Sequence, residues 1–204
     1  VPVALYGTLP NVLVVHVNSP FKTVADVVAA AKANQKLSYS SSGAGTSQHL
    51  SGELFKNMAG VDILHVPYKG SSPSMQALLG EQVTMCFENI LSCIPLIQSG
   101  KLRALGVTSA TRASGLPDVP TMNELGYNVE YYLWVGLFAP KATPQPVVTT
   151  LRNALKQAAA TDQFKTAMSN LGQGVDYLDQ PDFAKFLEAD AKRVQGAVRQ
   201  IGKL

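Results

Sequence analysis

Between residues 11 and 108 the chain switches its hydrophobic period again and again, from short β-branched runs to segments whose apolar residues recur every three or four positions. That alternation leaves few folds open. Residues 11–17 (NVLVVHV) are almost continuously apolar, as a strand buried on both faces would be. Pro20 follows, and Thr23 caps a helix whose Val24, Val27, Val28 and Ala31 form one stripe. Residues 37–41 read as a strand, and a helix opening near Thr46 places Leu50, Leu54 and Met58 on a common face before Gly60 ends it. Strands are predicted over 61–66, 83–87 and 102–108, and helices over 74–79, 90–98 (with Pro95 near the first turn) and 121–125. Such spacing predicts an α/β sheet, largely parallel.

At Glu130 the character changes. Residues 131–139 (YYLWVGLFA) form one long apolar run closed by Pro140, read as a strand that leaves one lobe for another. Pro144 starts a helix with Val148, Leu151 and Leu155 on a stripe, a second helix is predicted over 161–171, and 175–178 is a short strand. A last helix begins at Pro181 and carries Phe183, Phe186, Leu187, Val194, Val198 and Ile201 on one face. These helices have only one or two strands to cover. The chain is therefore expected to lack N-terminal sequence that supplies more strands, or to borrow them from a partner in an intertwined oligomer. Phe183, Phe186 and Val194 are accordingly expected to pack on a neighbouring chain or a rearranged element.

The stretch 37–50 (LSYSSSGAGTSQHL) bears most directly on function, because it reads as strand, small-residue turn and helix start. Gly43 and Gly45 let the backbone approach a ligand, the hydroxyls of Ser42, Thr46 and Ser47 can donate to it, and the first amides of a helix point the same way. An anion, most simply a carboxylate, fits this arrangement. Ser, Thr and Gly also cap ordinary helices, so from these residues alone both readings stay open. No Lys follows Gly45 as a phosphate loop requires, and the turn is too short for a dinucleotide fingerprint.

The 204 residues are 46% hydrophobic, enough for a real core, and the formal net charge of +3 is spread along the chain, which argues against nucleic acid as a partner. No apolar run reaches membrane-spanning length and the N-terminus has no signal-peptide pattern, so the chain is expected to be cytosolic or to have lost a leader. Cys86 and Cys93 are too sparse for a metal site; two buried thiols are the default and a local disulfide remains open. His16 and His65 fall inside predicted strands, where a buried, satisfied imidazole is the usual explanation. A serine-dependent hydrolase is the rival class, but no Gly-x-Ser-x-Gly elbow, metal-spaced His/Glu pair or reactive Cys setting is present.

Taken together, SYSSSGAGTSQHLSGELFKNMAGVDILHVPYKGSSPSMQALLGEQVTMCFEN, IQSGKLRALGVTSATRASGLPDVPTMNELGY and LWVGLFAPKATP resemble the extracytoplasmic solute receptors of tripartite tricarboxylate transporters, the Bug or TctC-like family. The resemblance covers nearly the whole chain. It implies an α/β periplasmic binding protein of the type II Venus-flytrap architecture, without enzyme chemistry or cofactor, that presents a small carboxylate to membrane permease subunits. A sensor for a signalling partner would share the fold. Residues 1–133 would form the second lobe and 134–204 a hinge strand and the C-terminal part of the first. The family's N-terminal segment, with its Pro-Phe-x-x-Gly-Gly loop on the other jaw, has no counterpart here.

Through the resemblance Ser42, Gly43, Ala44, Gly45, Thr46 and Ser47 match the carboxylate-binding turn. Asn89, at the end of a strand, could hydrogen-bond the ligand, whereas Glu88 would repel it and is expected to face solvent or cap a turn. Lys69 could add positive potential, Tyr68 is read as packing, and His49 as capping or packing rather than direct ligation. Trp134 is read as core, or as a reporter at the hinge.

Overall fold

The apolar run at 11–17 is the second half of a much longer strand, β1 (Pro2–His16), in a computed structural model that describes residues 1–170 and 175–201. The other elements follow in the order α1 (Val24–Lys32), β2 (Ser38–Ser41), α2 (Ser47–Ala59), β3 (Leu64–Pro67), α3 (Ser71–Leu79), β4 (Met85–Asn89), α4 (Ile90–Gln98), β5 (Leu102–Val107), β6 (Tyr132–Phe138), α5 (Gln145–Ala160), α6 (Asp162–Asn170) and α7 (Gln180–Ile201).

The strands are ordered β3-β2-β4-β1-β5, and β6 pairs with the first half of β1. Asn11 to Val15 lie opposite Asn89 to Met85 on one side, and Val12 to His16 run beside β5 on the other. Successive strand residues point to opposite faces. Leu13 and Val15 accordingly enter one core with Val24, Val27 and Phe55, while Val12 and Val14 enter a second with Leu78, Ile90 and Ile94. Burial on both faces explains the unbroken apolar run.

The expectation of a largely parallel sheet is corrected. β2 pairs in parallel with β3 and β4, but β1 is antiparallel to β4, β5 and β6. Hydrophobic period reports how a strand is buried and carries no information on its direction. Residues 121–125 are not a helix: Thr121 bridges to Val107 and the Met122 amide donates to the Val107 carbonyl at 2.8 Å, which fixes the backbone in a turn beside β5. Only Leu178 of the predicted strand 175–178 pairs, with Leu5. Pro95 sits in the second turn of α4 rather than the first.

Helix starts follow their caps. Thr23 and Asp26 form a reciprocal capping box on α1, and Thr46 caps α2 through the His49 amide. Gly60, at φ 62°, closes α2 in the left-handed conformation. The buried face of α2 runs through Ser51, Phe55 and Ala59, so Met58 is exposed rather than part of the stripe; Leu151 of α5 is likewise exposed, and Val148 and Ala159 carry that helix's buried contacts.

Of the aromatics expected to pack on a neighbouring chain or a rearranged element, Phe183 needs no neighbouring chain. Phe183 is fully buried within this chain, over β6, where Trp134, Phe138 and Phe186 surround it with ring centroids 5.4–6.4 Å apart. A Cβ on Gly136 would lie 2.4 Å from the Phe183 ring, so the glycine creates the space the ring fills. Leu171 and the side chain of Ile201 lie outside the described residues. Cys86 and Cys93 are free and buried, and among the described residues no helix is long and apolar enough to cross a membrane.

Candidate functional site

Because β2, β3 and β4 run in parallel, their C-terminal ends lie at one edge of the sheet, and each is followed at once by a helix. The N-termini of α2, α3 and α4 are therefore brought together. Their leading residues, Thr46 to Gln48, Ser71, and Asn89, Leu91 and Ser92, line a cleft of about 590 Å³ with Ser42 and Glu88. Leu9, Leu133 and Val135 of the β1–β6 pair line its apolar side. Helix N-termini carry unsatisfied amides and partial positive charge, so their convergence can hold an anion without a cation. Among the described residues no Lys or Arg lines the cleft.

The turn from β2 into α2 is held by its own backbone. Gly43 and Gly45 have φ of 143° and 77°, which side-chain-bearing residues rarely adopt. The Tyr68 amide donates to the Ser41 carbonyl (2.9 Å) and the Gly70 amide to the Ser42 carbonyl (3.1 Å), tying this turn to the one before α3. Several turn amides are thereby occupied: Gly43 donates to Ser41 Oγ, Gly45 to His49 Nδ1, Thr46 to the Gly43 carbonyl and Ser42 to Gln48 Oε1. The amides of Ser47 and Gln48, in the first turn of α2, meet no protein acceptor among the described residues, and both residues line the cleft.

The structure thus brings Ser42, Thr46, Ser47 and Asn89 to the cleft. Gly43, Ala44 and Gly45 shape the turn behind it and do not line it, and neither do His49, Tyr68 or Lys69. Tyr68 is half-buried against the second core and Lys69 is exposed. His49 Nδ1 accepts the Gly45 amide at 3.0 Å and its ring stacks on His65. Trp134 is not in the cleft; its indole N–H donates to Asp190 of α7 at 2.9 Å.

Glu88 corrects the expectation most sharply. Its side chain is fully buried beneath the cleft, not turned to solvent. Gln48 Nε2 (2.7 Å) and the Asn89 amide (2.8 Å) donate to Oε1, and the Ser71 hydroxyl donates to Oε2 (2.8 Å). Burial raises its proton affinity above the ordinary glutamate value, opposed by these hydrogen bonds from Asn89, Ser71 and Gln48. Gln48 and Ser71 were invisible as a pair because they sit on different helices. Their sequence signal, a polar residue within the first turn after a strand, is shared by many ordinary caps.

Ser41 Oγ and His65 Nε2 lie 2.7 Å apart, an arrangement that could suit a nucleophile. Ser41 is fully buried, however, and among the described residues no carboxylate orients the imidazole, so the pair has neither substrate access nor the third member of a triad.

A family model described as "Tripartite tricarboxylate transporter family receptor" matches residues 1–203. Among curated relatives, the chain is 42% identical over 175 residues to the "UPF0065 protein in tcbD-tcbE intergenic region" of Pseudomonas sp. strain P51, covering 84% of this chain and 52% of that protein. It is 32% identical to BugT of Bordetella pertussis, covering 99% of this chain and 63% of that protein. The chain thus spans between half and two thirds of the length of these relatives. Among solved structures, R. palustris Rpa4515 with adipate superposes at a TM-score of 0.93 with 32% identity, over 98% of this chain and 68% of that one. MatC from Rhodopseudomonas palustris with bound malate superposes at 0.85 with 28% identity, over 97% and 69%. The fold is accordingly that of the Bug and TctC periplasmic binding proteins, of which this chain covers about two thirds, and the family model it matches describes a receptor. With its mixed sheet, its meeting helix N-termini and a family match running almost from end to end, the chain belongs to the tripartite tricarboxylate transporter receptor family.

Proposed function

We propose that the protein is an extracytoplasmic, periplasmic receptor that captures a small organic carboxylate and delivers it to the membrane permease subunits of a tripartite tricarboxylate-type transporter. The observation that carries this reading is the cleft where α2, α3 and α4 begin, with the Ser47 and Gln48 amides unpaired and no cation in its wall among the described residues. Main-chain donors hold a carboxylate by charge-assisted hydrogen bonds, roughly twice as strong as neutral ones, and need no Lys or Arg to do so. Leu9, Leu91, Leu133 and Val135 supply apolar surface for the hydrocarbon part of the ligand. The adipate and malate bound by the two structural neighbours fit that chemistry.

In this reading Ser42, Thr46, Ser47 and Asn89 contact the ligand, while Gly43, Ala44 and Gly45 give the turn its shape. Residues 1–133 contribute chiefly the second lobe and 134–204 the hinge strand and part of the first. The β1–β6 pair joins them, because β1 bonds to β6 with one half and to β4 and β5 with the other.

Thermal shift and calorimetry on the full-length receptor with a panel of organic acids, adipate and malate included, test the assignment. Binding to the folded and not to the unfolded chain raises the melting temperature by an amount that grows with the logarithm of ligand concentration over Kd. A panel that leaves both the melting curve and the heats unchanged sinks it.

A further inference from the structure

Glu88 presents a difficulty that the receptor reading does not remove: a carboxylate lies, fully buried, beneath a cleft built for another carboxylate. Two like charges so close in a poorly solvated site oppose each other strongly. Resting on the receptor reading, we propose that Glu88 takes up a proton when the anionic ligand binds, and that Ser71 passes the resulting change in hydrogen bonding to the ligand.

The surrounding donors decide where that proton goes. The Ser42 amide can only donate, so the Gln48 oxygen must face it and the Gln48 nitrogen must face Glu88. Oε1 of Glu88 is therefore held by two obligate donors, Gln48 Nε2 and the Asn89 amide, and has no acceptor to which an O–H could point. Oε2 faces the Ser71 hydroxyl at 2.8 Å, which can reverse. A proton from solvent settles on Oε2, the new O–H donates to Ser71 Oγ, and the serine hydrogen that had pointed at Glu88 turns toward the cleft that Ser71 lines. One negative charge is removed beneath the site and one donor is added at its wall. No other contact has to break.

Among the described residues no other titratable group is placed to take that proton. On β4 and α4 the thiols of Cys86 and Cys93 are kept un-ionised by burial, Cys86 being pushed up to about 12. Across the sheet, the β1 residues facing β4 from Asn11 to Val15 are not ionisable. On β2 and α2, Tyr39, His49, Glu53 and Lys56 engage one another and His65 of β3. α3 carries no ionisable residue, and the exposed Lys69 before it makes no ion pair with Glu88. Desolvation already raises Glu88 in the empty site, and an added anion shifts it further in the same direction.

The test is calorimetry on the full-length receptor at fixed pH in phosphate and in Tris, whose ionisation heats differ, using whichever acid of the panel binds. Proton uptake makes the observed heat depend on the buffer, and the affinity tightens by up to about tenfold for each pH unit lowered across the window in which Glu88 changes state. Glu88→Gln reproduces the protonated side chain, its nitrogen donating to Ser71, so it should bind with buffer-independent heat and a flat pH profile. Ser71→Ala should weaken binding by about tenfold, the loss expected for one hydrogen bond to a charged ligand. Buffer-independent heat in the unaltered protein, with the acid bound, overturns the proposal and leaves the receptor reading standing. If Glu88→Gln keeps the buffer dependence, the proton resides elsewhere and the proposal also fails. No binding by any acid removes the receptor reading, and this inference with it.

Discussion

The imidazole rings of His49 and His65 lie face to face, their centroids 3.9 Å apart and their planes 9° from parallel. The Tyr39 ring also stacks on His65, at 4.8 Å, and its hydroxyl donates to Glu53 at 2.6 Å. This column backs the turn between β2 and α2: His49 Nδ1 accepts the Gly45 amide, and His65 shares a hydrogen bond with Ser41, whose hydroxyl oxygen in turn accepts the Gly43 amide.

The stack makes stability depend on pH. Burial, and for His65 also its neighbour His49, depresses both imidazoles, His65 from 6.5 to about 4. A depressed base is neutral in the folded state while the unfolded chain binds the proton, so stability from this pair is complete above pH 6.5 and is lost as pH falls toward 4. Urea midpoints measured across that range should fall with pH. A His65→Gln variant should show a shallower decline, and equal slopes for the two proteins would refute the assignment.

Thr46→Ala removes a cap. The threonine oxygen accepts the His49 amide and its hydroxyl donates to the Gly43 carbonyl at 2.7 Å, joining the two ends of the turn. We expect a loss of about 1 kcal/mol in chemical denaturation, as for other caps. Under the receptor reading it also brings a weaker response to organic acids in thermal shift.

Gln48→Leu should be more damaging than its size implies. The amide bridges the Ser42 N–H and the buried Glu88 carboxylate, so an apolar replacement leaves a donor and a charged acceptor without that partner. A cost of about 1–3 kcal/mol for each group left unpaired is expected. Pairing the change with Glu88→Gln should recover part of it, and a double-mutant cycle measures how much.

Gly136→Ala tests the packing of α7 on β6. The added carbon meets the Phe183 ring, and overpacking of this kind costs roughly 1–3 kcal/mol. Phe183→Ala alone should cost about 3–5 kcal/mol, as the removal of a buried aromatic does. Combined, the two changes should cost less than their sum, since the clash needs both partners; strict additivity would show that the ring had already moved aside.

Local signals placed the helix starts well. Thr23, Thr46 and Gly60 act within one turn of their own positions, so their meaning survives without knowledge of the rest of the chain. The strands were less well placed. β3 and β4 begin at Leu64 and Met85, later than the apolar runs at 61 and 83 suggest, because pairing with β2 sets their limits and Ile63 and Val83 are buried although they lie in loops. The turn at 121–125 resembles a helix in sequence for a similar reason: its short apolar spacing fits either form, and the bond from Met122 to Val107 chooses.

The candidate site divides along the same line. The residues near the turn were legible because Ser, Gly and Thr before an amphipathic helix have a local meaning. Glu88, Gln48 and Ser71 were not, since an acid at the end of an apolar strand normally reaches water, and only the meeting of α2 and α3 over β4 buries it with donors on both oxygens.

By itself the sequence determined which segments alternate as strand and helix, where α1 and α2 begin, and which family the chain resembles, for these rest on near-neighbour chemistry and ordered motifs. The tertiary structure alone decided that β1 runs antiparallel through the centre, that Phe183 finds its pocket over Gly136, and that Glu88 is sealed beneath the cleft. Each of those depends on residues far apart in the chain, and burial and pairing between distant segments exist only once the chain has folded.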